Sequence, residues 1–141
     1  MINHRVIDVM TKQVVYMPAA TPLDEAARAM READIGDVVV TEGQSLAGMV
    51  TDRDIVVRAV AENRQPSDIT VGEVASHGIV MIEQTATVTE AADLMRERSV
   101  RRILVCDSER QLVGIVSLGD LAVRHDPDSV LGEISGAKPN N

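Results

Sequence analysis

The pattern of hydrophobic and polar positions predicts the same opening elements in each half of the chain. A short apolar run, at residues 14–17 and again at 79–82, is typical of a β-strand. The apolar residues that follow recur at spacings of three and four, which predicts an amphipathic helix. Thr21 and Thr87 each precede an acidic residue by three positions, a capping-box pattern at the start of each helix.

Each half then continues with two β-branched or apolar runs separated by a polar turn, which predicts an antiparallel hairpin. A second helix closes each half. The sequence therefore predicts strand, helix, strand, strand, helix, twice. The hairpin runs lie at residues 38–40 with 47–50 and 103–106 with 112–116, and the closing helices at 52–62 and 118–124.

The two halves are copies of one unit. At a shift of 65 residues, changing to 66 beyond residue 110, fifteen identical pairs fall in collinear order. Among them Glu25 coincides with Glu90, Asp54 with Asp120 and Arg58 with Arg124. Such an internal repeat indicates one supersecondary unit used twice, so the fold class is α/β (α+β) with two repeats.

The repeat also suggests the domain limits. We assign residues 1–65 to the first repeat with its initial helix and linker, 66–125 to the second repeat, and 126–141 to a C-terminal tail. Residues 71–75 match residues 6–10 and predict a short helix leading into the second repeat. Since one repeat alone leaves a hairpin face uncovered, we expect the two repeats to pack as one pseudo-two-fold module with two related clefts.

Composition excludes several classes of protein. The formal net charge is −8, and Tyr16 is the one aromatic residue, so a nucleic-acid binder with a basic face and stacking rings is excluded. No apolar run reaches the length of a membrane span, and the first residues do not resemble a signal peptide. With a single cysteine, Cys106, we expect a cytoplasmic protein without disulfides.

Catalytic machinery is not visible in the sequence. The nucleophile-elbow, Walker, HExxH, CxxC and GxGxxG patterns do not occur, so we predict no enzyme activity and no catalytic residues. The three histidines are scattered and predict no metal site.

One motif stands at the end of the last strand in both repeats: Gly, two apolar residues, a hydroxyl residue, two variable residues and Asp. It places Thr51 with Asp54 and Ser117 with Asp120 at a strand-to-helix junction. Two interpretations fit. The hydroxyl residue can be a helix N-cap with the Asp at the third helical position. Alternatively, the junction is half of a nucleotide site, because a carboxylate can accept hydrogen bonds from both hydroxyls of a ribose.

The chain as a whole resembles a known family. The two junction motifs, together with residues 21–27 and 100–105, resemble a tandem pair of cystathionine-β-synthase (CBS) domains, a Bateman module, over about residues 5–125. The resemblance is to stand-alone bacterial CBS-pair proteins, and the segment 49–56 is similar to small stress- and hypoxia-response members.

The resemblance implies a regulatory module that binds an adenosine-containing ligand, namely AMP, ADP, ATP or S-adenosylmethionine, with no required cofactor. It implies that Asp54 and Asp120 hold ribose hydroxyls, with Thr51 and Ser117 beside the ribose or the phosphates. The family often has basic residues before the second strand that meet phosphates, and the matching residues are Arg101 and Arg102.

The first repeat departs from this pattern, because Gly36 and Asp37 stand where the second has its two arginines. A carboxylate beside a phosphate repels it. We therefore expect two unequal sites, with phosphate drawn to the second repeat and Arg53 compensating in part in the first.

A rival hypothesis is a ligand-free dimeric scaffold for a protein partner, with a role in a stress response. Pairs of this family commonly form homodimers through their helices, so the resemblance implies a homodimer under both hypotheses. Apolar residues beyond one face of the closing helix, Val56, Val57 and Val60 among them, favour an additional interface.

Overall fold

A computed structural model describes residues 4–125 and divides them into two compact units. One unit consists of residues 15–79, and the other of residues 4–14 together with 80–125. Each contains a three-stranded mixed sheet and helices, which confirms the predicted α/β class with two repeats. The tail predicted at 126–141 lies outside the described residues.

In the unit of residues 15–79, a hairpin forms most of the sheet. Strands β2 (Asp37–Glu42) and β3 (Ser45–Thr51) pair antiparallel, with Asp37 opposite Thr51 and Glu42 opposite Ser45, and β1 (Tyr16–Pro18) pairs parallel to β2. The turn uses Gly43 at φ +62°, a conformation that glycine adopts without steric cost. The elements are β1 (Tyr16–Pro18), α2 (Leu23–Ala33), β2 (Asp37–Glu42), β3 (Ser45–Thr51), α3 (Asp52–Ile55), a π-helix (Val56–Val60), a 3-10 turn (Pro66–Asp68) and α4 (Val71–Val74).

The other unit has the same topology. Strands β5 (Arg102–Cys106) and β6 (Leu112–Ser117) form the antiparallel hairpin, and β4 (Met81–Glu83) pairs parallel to β5. The Asp107 carboxylate accepts hydrogen bonds from the Glu109 and Gln111 amides and shapes the hairpin turn. The elements are α1 (Val6–Val9), β4 (Met81–Glu83), α5 (Val88–Arg98), β5 (Arg102–Cys106), β6 (Leu112–Ser117) and α6 (Leu118–His125).

The short helices α1 and α4 each pack in the unit of the other repeat. Val6 is fully buried in the core that contains Ile103 and Val116, whereas Val71 is fully buried in the core that contains Leu23 and Val50. The predicted helix forms at residues 71–74, but residues 71–75 complete the first repeat's core and do not lead into the second repeat. The two segments have similar sequences, so local preference could not show which core each one joins.

Three local predictions need correction. Helix α2 begins at Leu23 with Pro22 as its N-cap and no side-chain cap, so Thr21 does not cap it, while Thr87 does accept a hydrogen bond from the Glu90 amide at 3.1 Å. The helix predicted at 52–62 is α-helical only to Ile55 and then becomes the π-helix. The first strands begin two residues later than predicted in both repeats, where parallel pairing with β2 and β5 starts.

Candidate functional site

The first junction joins β3 to α3 and is held by reciprocal hydrogen bonds. The Asp54 amide donates to Thr51 Oγ1 at 3.1 Å, and the Thr51 amide donates to Asp54 Oδ2 at 2.9 Å. These two bonds form a capping box, which satisfies two amides at the start of the helix. The Asp54 side chain is 14% exposed, so it is largely enclosed and still reachable.

The second junction, between β6 and α6, repeats this geometry. The Asp120 amide donates to Ser117 Oγ at 3.1 Å, and the Ser117 amide donates to Asp120 Oδ2 at 2.9 Å. Both side chains are partly buried. The helix-capping interpretation of the motif is therefore correct at both junctions. It does not exclude the ligand-binding interpretation, because each carboxylate uses only Oδ2 for its cap and each oxygen has two lone pairs.

The glycine of each motif has a packing role. A Cβ atom on Gly48 would lie 2.6 Å from the Ser76 carbonyl oxygen, and one on Gly114 would lie 2.8 Å from the Thr11 carbonyl oxygen. At both positions a neighbouring backbone segment pairs with the sheet: Ser76 with Met49, and Thr11 with Ile115. Because these glycines have no side chain, the neighbouring backbone segment can lie close to each junction.

Two residues that lie beside the carboxylates, Thr11 and Arg58, were not predicted from the sequence. The Thr11 hydroxyl donates to Asp120, with its Oγ1 at 3.5 Å from Oδ1 and 3.4 Å from Oδ2. Arg58 Nε lies 3.9 Å from Asp54 Oδ1. The pairing of Arg58 with Arg124 in the repeat was an available signal for the arginine. No local signal marked Thr11, because it is more than a hundred residues from Asp120 in the chain.

The backbones of Arg101 and Arg102 lie next to the second junction. Arg102 is directly opposite Ser117 in the β5–β6 ladder, and the Arg101 carbonyl accepts a hydrogen bond from the first amide of α6 at 2.9 Å. The Arg101 side chain is exposed. In the first junction the position opposite Thr51 is Asp37, and Arg53 is exposed on α3. The structure thus places an acid and a base at equivalent points of the two sheets.

Other groups offer little chemistry. Among residues 4–125 no group of three or more His, Cys, Asp or Glu side chains is placed to hold a metal ion. The buried Cys106 thiol contacts the Ile82 carbonyl oxygen at 3.6 Å, as a small core residue does. None of the helices among these residues combines the length and the apolar character that a membrane span requires.

Comparison with known proteins defines the class. The CBS-domain model matches residues 6–60 and 71–124, so the chain belongs to the CBS domain family and carries two copies. Pairs of this kind are typically regulatory modules without catalytic activity.

Two relatives are proteins of similar size. Hypoxic response protein 1 of Mycobacterium tuberculosis is 38% identical over 125 residues, covering 88% of this chain and 86% of the relative. The CBS domain-containing protein YhcV of Bacillus subtilis is 39% identical over 116 residues, with coverage of 82% and 81%.

Solved structures show the same fold. A structure of Hypoxic Response Protein I with two coordinated zinc ions is 37% identical, with a TM-score of 0.69 and coverage of 86% of this chain and 98% of that one. A CBS-domain-containing protein from Agrobacterium tumefaciens is 28% identical, with a TM-score of 0.70 and coverage of 84% and 95%.

Proposed function

We propose that the protein is a non-catalytic regulatory module that binds an adenosine-containing nucleotide (AMP, ADP, ATP or S-adenosylmethionine) at its two strand-to-helix junctions. One observation carries this proposal. Asp54 and Asp120 close the same capping box at equivalent points, with one carboxylate oxygen held by a backbone amide. Their second oxygens are oriented by that bond, and an oriented carboxylate is suited to accept from the two hydroxyls of a ribose.

The phosphates would contact different residues in the two units. Arg102 is opposite Ser117 at the second junction and Arg101 is next to it in the chain, so their guanidinium groups would supply the donors for a phosphate there. At the first junction Asp37 opposes Thr51 and repels an anion, while Arg53 offsets part of that charge. The proposal therefore includes unequal affinities, with polyphosphates favouring the second junction.

Regulation by such a module requires a ligand that binds two conformations unequally. The nucleotide stabilises one arrangement of the protein and thereby changes what the protein contacts. A homodimer and a cytoplasmic location are part of this proposal. No further cofactor, metal, membrane or DNA is required.

Thermal-shift titration with the four nucleotides tests the proposal. A ligand at one hundred times its Kd stabilises the folded state by about 2.7 kcal/mol. We expect this shift for at least one nucleotide in the wild type and its loss in an Asp54→Ala/Asp120→Ala double variant. The matched control is Asp24→Ala/Asp93→Ala, which removes two helix-surface carboxylates in ion pairs with arginines, the first partly buried and the second exposed.

Each protein is compared with its own ligand-free melting temperature, because loss of the capping boxes lowers stability by itself. The absence of a shift with all four nucleotides would refute the proposal. So would an undiminished shift in the Asp54/Asp120 variant.

A second candidate is a ligand-free homodimeric scaffold for a protein partner. It is favoured by the exposed valines of the π-helix, since Val56, Val57 and Val60 are 57%, 42% and 62% exposed. Light scattering of the wild type and a Val56→Asp/Val60→Asp variant distinguishes the dimer from the monomer. A partner retained equally by the wild type and the Asp54/Asp120 variant would favour the scaffold over the nucleotide sensor.

A further inference from the structure

Arg58 connects the first junction to another part of its own unit. Its Nη1 donates to the Val74 carbonyl at 2.9 Å and to the Ala75 carbonyl at 3.3 Å, while its Nε lies 3.9 Å from Asp54 Oδ1. All four residues belong to the unit of residues 15–79. One guanidinium group thus faces the junction carboxylate on one side and two backbone carbonyls on the other.

The backbone explains why the arginine reaches both places. Arg58 lies within the π-helix, and Val74 is the last residue of α4, where carbonyl groups lack partners inside the helix. A planar guanidinium presents several donors in fixed directions, so it can bind carbonyls and face a carboxylate at the same time. A lysine could not hold both contacts in this geometry.

The carbonyls that Arg58 binds lie next to a sheet contact. The Ser76 amide, one residue beyond Ala75, donates to the Met49 carbonyl at 2.9 Å, and the Met49 amide returns the bond at 3.0 Å. Met49 is two residues before Thr51 in β3. Loss of the hydrogen bonds from Arg58 to the Val74 and Ala75 carbonyls should therefore weaken the neighbouring bond of the Ser76 amide. The hydrogen-exchange rate of that amide measures the effect.

We infer that Arg58 is a positioning residue that couples the Asp54 carboxylate to residues 74–76. The cap bond fixes Oδ2, and Arg58 attracts Oδ1, so that the carboxylate is oriented at two points. A ligand that binds Asp54 stabilises this arrangement and, through Arg58, tightens the pairing of Ser76 with β3. The ligand part of this inference rests on the proposed function, whereas the coupling itself exists without a ligand.

A double-mutant cycle in the ligand-free full chain tests the coupling, with the exchange rate of the Ser76 amide measured by NMR. Asp54→Asn removes an i,i+4 charge contact and should raise this rate about twofold. Arg58→Gln removes the bonds to both carbonyls and should raise it on the order of fivefold. Adding Asp54→Asn to Arg58→Gln should then change nothing more. Independent, multiplying effects would overturn the inference.

The matched control is Asp24→Asn, which removes the charge from another i,i+4 pair with an arginine, Arg28, in the same unit. We expect no change at the Ser76 amide. If Arg58→Gln does not fold, Arg58→Lys replaces it in the cycle, and the Asp54→Asn and Asp24→Asn comparison stands by itself. An equal effect of the two Asp variants would overturn the inference.

The ligand experiment separates this inference from the proposed function. In an Asp120→Asn background, each of the four nucleotides is added at saturation, and binding is recorded by thermal shift. Slower Ser76 exchange on binding, absent in Arg58→Gln, supports the inference. Binding without any change at Ser76 overturns its ligand part and leaves the proposed function standing. If no nucleotide binds either this variant or the wild type, the proposed function fails, and the ligand-free cycle alone decides the coupling.

Discussion

The exchange of the two short helices between units makes an unusual prediction for two matched variants. Val6 and Val71 are the first residues of α1 and α4, and both are fully buried. Val6→Ala should perturb the core of the second repeat, and Val71→Ala the core of the first. Each substitution should therefore destabilise the unit that is built mainly from the other repeat.

The magnitude follows from burial. Each substitution removes the equivalent of two buried CH2 groups, and burial of one such group stabilises the folded state by about 0.8 kcal/mol. The cavity left behind adds to this, so each variant should lower the free energy of unfolding by about 2 kcal/mol. In urea, with a typical slope for a small protein, the midpoint should fall by about 1 M.

The assay combines urea unfolding with amide NMR spectra of both variants. Val6→Ala should shift resonances around Ile103 and Val116, and Val71→Ala those around Leu23 and Val50. Resonance changes for Val6→Ala that cluster in β2, β3 and α2 would refute the assignment of α1 to the second core. An unfolding free energy unchanged by both substitutions would refute the burial argument.

Three further predictions concern local structure. Gly48→Ala should cost about 1 to 3 kcal/mol in thermal denaturation, because its Cβ would press on the Ser76 carbonyl oxygen, and an unchanged melting temperature would contradict this close approach. Thr87→Ala should cost about 1 kcal/mol through loss of a cap bond, whereas Thr21→Ala, with no such bond, should cost less; equal losses would be contrary evidence. The Thr70 backbone amide lowers the pKa of Glu73, so the stabilising contribution of this carboxylate is present above its unfolded pKa and is lost as pH falls through the folded value. Glu73→Gln should therefore unfold at lower urea than the wild type at neutral pH, and this difference should shrink as the pH falls below the ordinary pKa of glutamate; a difference that stays constant in acid would contradict this linkage.

Much of the local structure could be predicted from the sequence, because it depends on residues that are close together in the chain. Hairpin strands, the helix opened by Thr87, and α6 follow from alternation, helical spacing and capping, and all three are found. The paired junction motif was recognisable for the same reason, since its hydroxyl and carboxylate are three residues apart and close a local capping box. The π-helix could not be predicted from the sequence, because the spacing of its apolar residues is also that of an α-helix.

Tertiary structure alone decided which segments complete each unit. The helices α1 and α4 look alike in sequence, and only packing shows that Val6 joins one core and Val71 the other. The same holds for the residues beside the carboxylates. Thr11 reaches Asp120 because residues 4–14 pack with the second repeat, and Arg58 meets the end of α4 for the corresponding reason in the first. A sequence encodes short-range periodicity directly, whereas the choice between two similar partners depends on the free energy of the whole packed core.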